Sequence, residues 1–245
     1  MDQLLWIALF IFLFAGTIKG TVGIGLPTAS ISILSQFYDP FTAISLVIFP
    51  VMVSNFWQVY RSKDVMRIAR TYWPFALMLT IFIMICTQLS ANIPVNIIMI
   101  ILGTVIILFS LTSLFVHPPE LPARLDRPAQ FIAGTLAGIM GGFTAIWAPP
   151  MVIYLVSRRI EKDDFVRATG FLLSMGSIPL CIGYWINGFM TGPLASTSLL
   201  MIVTTLLGFT IGEMIRKKIN PDKFQKVVLI IFLLMGLNII RKALL

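Results

Sequence analysis

Polar positions are sparse along this chain and fall in short clusters, which divide it into long apolar runs. These cover about residues 3–35, 41–60, 71–90 and 95–116, and then 129–157, 165–186, 195–215 and 225–243. A run of roughly 20 apolar residues has the length of a bilayer-spanning helix, and the breaks leave no room for a soluble domain. The leading run of each set is different. At about 30 residues it exceeds one crossing of a hydrocarbon core, and it is interrupted by Gly20-Thr21-Val22-Gly23-Ile24-Gly25 or by Gly138-Ile139-Met140-Gly141-Gly142.

The two sets are related. Ala15-Gly16-Thr17, Gly20 and Gly23 recur with the same spacing as Ala133-Gly134-Thr135, Gly138 and Gly141, as expected of a duplicated unit. The one extended polar stretch, 117–128, is rich in Pro and reads as the seam. The expected organisation is therefore a first transmembrane repeat over 1–116, a linker over 117–128 and a second repeat over 129–245.

Basic residues give the orientation. The gap after the leading run lacks Lys and Arg in repeat one but holds Arg158, Arg159 and Lys162 in repeat two. The next gap reverses this, with Arg61, Lys63, Arg67 and Arg70 in repeat one and none over Asn187 to Pro193. The third reverses again, with none near Ser90 to Pro94 against Arg216, Lys217, Lys218 and Lys223. Under the positive-inside rule this antiphase requires an odd number of crossings per repeat, so the second repeat lies upside down relative to the first. Four simple spans per repeat fail this test. A Gly-tipped hairpin in each leading run followed by three crossing helices satisfies it, with both termini outside the cytoplasm. The predicted fold is thus an all-α polytopic membrane protein of two inverted-topology repeats.

Composition agrees, with 58% hydrophobic and 11% charged residues against about half and a quarter in soluble domains. Lys and Arg outnumber Asp and Glu by 18 to 10, but the excess sits in the gaps just named and not in a nucleic-acid-binding patch. The N-terminal run begins with Asp2 and leads into the repeat, so it is expected to be retained and not to act as a signal peptide. Cys86 and Cys181 lie in apolar runs without metal-type spacing. The apolar runs contain no His, no Asp pair and no G-x-S-x-G, which excludes the usual intramembrane catalytic groups. No enzyme activity, catalytic residue, metal or cofactor is expected.

Broken helices in inverted repeats are a recurrent transporter design, with the substrate site where the breaks lie. Non-helical backbone is tolerated at membrane depth only where protein buries it or a wet cavity meets it. Glycine lets such backbone turn and approach a ligand. The same glycines at four-residue spacing also serve helix packing. Lys19 stands out, because a charge inside an apolar run costs roughly 2.5–3.5 kcal/mol on insertion scales. It either pairs with a substrate anion or snorkels to an interface, and the absence of an acid in the apolar runs of repeat one favours the anion.

Thr21 and Thr144 add hydroxyls near the tips, although Thr and Ser in such helices often bond back to helix carbonyls. The candidate substrate-binding set is Lys19, Gly20, Thr21, Gly23 and Gly25, facing Gly138, Gly141, Gly142 and Thr144 across a central cavity. Thr17, Thr28, Ser30 and Thr135 offer further hydroxyls near the tips, and Asn55, Trp57, Gln58, Trp147, Ser174 and Ser177 are polar or amphipathic groups expected to face the protein interior. Glu213 is expected to form an interfacial ion pair with the basic cluster that follows it. Tyr60, Tyr72, Trp73, Tyr154, Tyr184 and Trp185 are expected in aromatic belts, and His117 is expected to be solvated.

Two Gly-rich segments, Gly16-Thr17-Ile18-Lys19-Gly20-Thr21-Val22-Gly23-Ile24-Gly25-Leu26-Pro27 and Gly134 through Gly142 to Pro149, resemble the twin motifs of the TauE/SafE family of membrane permeases, the sulfite exporters. Phe143, where a third Gly is common, and Lys19 depart from the general pattern. The resemblance implies a secondary transporter in a bacterial or archaeal plasma membrane. Its expected substrate is a small sulfur-containing or organic anion, such as sulfite, a sulfonate or a short carboxylate, moved outward by alternating access. Partners would be that anion and the lipid bilayer, not nucleic acid, with a coupling ion such as a proton and a homo-oligomer left open. A passive anion channel or a non-transporting membrane scaffold are the alternatives.

Overall fold

The computed structural model describes residues 2–61, 64–116, 118–216, 218 and 221–245; for 2–4, 162, 221 and 222 it describes the backbone alone. Lys63, His117 and Lys217 thus lie outside the described residues. The chain folds as α1 (Asp2–Val22), α2 (Leu26–Leu34), α3 (Pro40–Tyr60), α4 (Val65–Ser90) and α5 (Val95–Phe115). A short 3₁₀ turn (Ala123–Leu125) leads to α6 (Asp126–Thr144), α7 (Ala148–Ser157), α8 (Lys162–Ile186), α9 (Gly192–Arg216) and α10 (Pro221–Leu244). No strand occurs among the described residues. Among the described residues, seven helices are long and apolar enough to cross a membrane, namely α1, α3, α4, α5, α8, α9 and α10.

The expected breaks in the leading runs are present, but each separates a long first arm from a short second one. At 1.5 Å per residue the 21 residues of α1 suffice for a crossing, whereas the 9 residues of α2 return only part of the way. The turn after α1 uses Gly23 at φ 93 and Gly25 at φ 100, left-handed backbone that Gly adopts without a Cβ penalty. Pro27 then starts α2 from its first turn, where its missing N–H costs nothing. The turn after α6 puts Ala145 at φ 56, and Pro149 follows in the first turn of α7. Asp39 caps α3 by accepting from the Thr42 N–H at 3.1 Å. α4 starts before its apolar run and kinks at Tyr72, because the Pro74 ring displaces the carbonyl one turn earlier.

Packing pairs the two halves of the chain reciprocally. α1 lies chiefly on α9 and α6 chiefly on α4, while α3 crosses α8 and α5 lies along α10. Both of the first two seams are made of small residues. A Cβ on Gly16 would lie 2.4 Å from Thr205 O, and one on Gly20 2.1 Å from Phe209 O. On the other seam a Cβ on Gly138 would lie 3.0 Å from Leu79 O, and one on Gly142 2.9 Å from Ile83 O. Backbones touch along both, as in close-packed membrane helices.

The break sets the register between the halves. Gly16 and Gly20 stand six and two residues before Val22, and Gly138 and Gly142 stand six and two before Thr144. The matching Ala-Gly-Thr segments therefore lie one helical turn out of structural correspondence, and Lys19 occupies the position of Gly141. The two breaks also lie at opposite ends of the bundle. The first is beside Arg61, Arg159 and Arg216; the second is near the finish of α4, by Cys86 and Thr87.

The outer surface is apolar, with Phe10, Ile132, Val203 and Leu234 each 60% exposed or more. Trp185 and Tyr60 are exposed near helix ends and Trp73 is exposed beside the α4 kink, but Tyr72, Tyr154 and Tyr184 are buried and take no part in a belt. The Tyr154 hydroxyl instead donates to Asp126 at 2.7 Å. Arg158 pairs with the same carboxylate at 2.7 Å, which fastens the start of α6 to the end of α7.

Candidate functional site

Lys19 lies in the last turn of α1 and is 1% exposed. Its position one residue before Gly20, where α1 meets the α9 backbone, turns the side chain toward α3. There Nζ donates to Ser54 Oγ at 3.0 Å and to Asn55 Oδ1. Ser54 Oγ donates onward to Val51 O at 3.0 Å. Asn55 Nδ2 donates to Ser177 Oγ on α8 at 3.1 Å, and Ser177 donates to Leu173 O at 2.7 Å. A continuous hydrogen-bonded chain thus runs from α1 through α3 to α8. Among the described residues, every ion pair lies elsewhere and none involves Lys19.

Lys19, Gly20, Val22 and Gly23 line a cavity of about 1030 Å³ that opens at the end of the bundle rich in arginine. Trp57, Gln58, Thr169 and Phe209 form more of its wall. Its mouth carries Arg61, Arg159, Arg167 and Arg216 against Asp163 and Glu213. Glu213 is engaged by Arg61 at 3.1 Å, across α3 and α9 and not within its own helix as expected. Arg167 lies 3.1 Å from Asp164, which also binds Arg67 at 2.6 Å. Such exposed pairs contribute little to stability, but the arginine excess leaves the mouth attractive to anions. Toward the other end of the α3–α8 crossing the space is filled by Phe41 stacked on Phe189 with centroids 4.2 Å apart, and by buried Tyr184.

The remaining sequence-derived candidates are dispersed. Thr21 is buried, and its hydroxyl donates to Thr17 O at 2.8 Å and Gly212 O at 3.3 Å. Gly25 is the N-cap of α2. Gly138 and Gly142 lie in the seam against α4, and Gly141 lies beneath Trp147, whose Cε3 is 3.0 Å from where a Cβ would stand. Thr144 is buried and serves the second break, donating to Met140 O at 2.7 Å and accepting from the Ile146 N–H at 3.2 Å. None of these is among the residues that line the cavity. Ser174 bonds back to its own helix, whereas buried Thr28 Oγ1 and Ser30 Oγ have no partner among the described residues. Ser54 was not singled out from sequence. A serine next to Asn55 inside an apolar run is the signal that marks it.

The cavity offers one buried cation, neutral hydrogen-bonding groups and a cationic mouth. That set is chemically suited to hold a small anion. No group of three or more His, Cys, Asp or Glu residues placed to hold a metal occurs among the described residues. No curated protein and no solved structure matches the chain. A family model described as sulfite exporter TauE/SafE matches residues 8–239, and with seven apolar helices of crossing length the chain belongs to that family of multi-pass membrane transporters for sulfur-containing anions.

Proposed function

We propose that the protein exports a small sulfur-containing or organic anion, such as sulfite, a sulfonate or a short carboxylate, across the plasma membrane by alternating access. The observation that carries this is Lys19, a buried lysine that makes no ion pair among the described residues, at the wall of a cavity with an arginine-rich mouth. A cation held away from water attracts an anion more strongly than one in bulk solvent, because the effective dielectric is lower. Basic residues mark the cytoplasmic side, so the cavity faces the cytoplasm and loads from there. Lys19, Gly20 and Gly23 form the site on that side.

The two halves act as inverted repeats in this reading. Support comes from the reciprocal packing of α1 on α9 and α6 on α4, and from breaks at opposite ends of the bundle. Gly138, Gly141, Gly142 and Thr144 then meet the path in the outward-facing state, with Thr21 and Gly25 supporting the first break. Reconstitution in vesicles tests the function. Flux of radiolabelled sulfite, or of a sulfonate or acetate, should saturate and be accelerated by unlabelled anion on the far side. Non-saturating flux without counterflow would make the protein a channel, and absence of flux for every anion would make it a scaffold.

A further inference from the structure

We infer that Asn55 is a specificity-determining residue, which keeps Lys19 free of a counter-ion so that the site is completed by an anion of single negative charge. The inference rests on the assignment of Lys19 as the anion-binding cation.

The amide orientation of Asn55 follows from its neighbours. An ammonium has donors only, so the atom that meets Lys19 Nζ is Oδ1, and Nδ2 is left to donate to Ser177 Oγ at 3.1 Å. The Ser177 hydrogen is already given to Leu173 O, which leaves its oxygen as the acceptor Asn55 needs. Ser54 is arranged in the same way, giving its hydrogen to Val51 O and its oxygen to Lys19. Two of the three Lys19 N–H groups are thus oriented by neutral acceptors, which hold the amine in place without cancelling its charge.

An aspartate in place of Asn55 has nearly the same shape and would pair with Lys19 directly. Buried cations in proteins are ordinarily paired, so a neutral residue at this place leaves a requirement that the ligand meets. The other acids of the cavity do not meet it. Glu213 is held by Arg61, and Asp163 makes no ion pair among the described residues. A singly charged anion on Lys19 brings the buried site to neutrality. A doubly charged one leaves an excess negative charge away from water, which is costly. The discrimination is therefore between charge states of otherwise similar oxyanions.

The test is calorimetric binding of methanesulfonate, acetate and sulfate to purified wild type, Asn55→Asp, Ser54→Asp and Lys19→Met, with thermal unfolding recorded for each. Wild type should bind methanesulfonate or acetate more tightly than sulfate. Asn55→Asp should lose at least about tenfold in affinity for those monoanions, about 1.4 kcal/mol, while unfolding at no lower temperature than wild type, an outcome that loss of packing does not give. Ser54→Asp places a carboxylate on the other side of the same amine and should act alike if Asn55→Asp fails to fold. A folded Asn55→Asp or Ser54→Asp with wild-type monoanion affinity overturns the inference, and so does a wild type that binds sulfate at least as well as every monoanion. Wild-type affinity in Lys19→Met would instead remove the assignment on which the inference rests.

Discussion

The two helix breaks open on the same kind of turn but differ in how it ends, with Gly25 at φ 100 before α2 against Trp147 at φ -114 before α7, and in what fills them. Both follow a helix whose third-from-last residue is Gly, Gly20 or Gly142, and both turn through a residue with positive φ, Gly23 or Ala145. At the next position back, the first has Lys19 and the second Gly141. At the residue just before the short helix, the first has Gly25 and the second Trp147. The Trp147 ring occupies the room that Gly141 and Gly176 leave, since a Cβ on either would come within 3.0 Å of it. Trp147 is 1% exposed. The second break is thus plugged by its own indole, while the first lies open to a cavity and carries a charge. A break supplies backbone freedom; the side chains around it decide whether the opening is a site or a seal.

The largest effect is expected where the two breaks are alike. Gly20→Leu and Gly142→Leu each force a side chain into backbone or Cβ atoms of a neighbouring helix, since a Cβ would already lie 2.1 Å from Phe209 O or 2.5 Å from Cys86 Cβ. Overpacking of this kind costs about 1–3 kcal/mol or more, and here rigid backbone cannot yield. Both variants should lose monodisperse, transport-active protein, as read by size-exclusion chromatography and vesicle flux. Collapse of only one would show that the seams are not equivalent.

Accessibility sharpens the contrast between the breaks. On a background lacking Cys86 and Cys181, Val22→Cys should react with a membrane-impermeant maleimide from the cytoplasmic side, because Val22 lines the cavity. Thr144→Cys, at the same place before its break but fully buried, should react about thirtyfold more slowly with the same reagent applied from the opposite side, where the second break lies, as for a site exposed only by local opening of about 2 kcal/mol. Equal rates from the two respective sides would remove the distinction between an open and a sealed break.

Much of this arrangement is legible locally. Apolar runs, the glycine interruptions and Pro27 and Pro149 mark the long and short helices, because a helix break is dictated by residues within a few positions of it. The register between halves is not legible in the same way. Gly residues recur every four positions in both segments, and the match one helical turn out scores better than the structural one because it also pairs Thr17 with Thr135 and Gly23 with Gly141, so only the break itself gives the register. Contacts between distant residues were likewise hidden. Nothing near Lys19 in sequence points to Ser54 and Asn55, and Glu213 stands beside Arg216 in the chain yet binds Arg61. Tyr154 reads as a belt residue until α6 brings Asp126 to it.

The central claim, that the first break is a site because of Lys19, is tested most directly by the affinity of Lys19→Met for its anion. Calorimetry on well-folded protein, with the anion that wild type binds best, should show a loss of at least about tenfold, or about 1.4 kcal/mol, with Lys19→Arg retaining part of the affinity. Unchanged affinity in Lys19→Met would contradict the account.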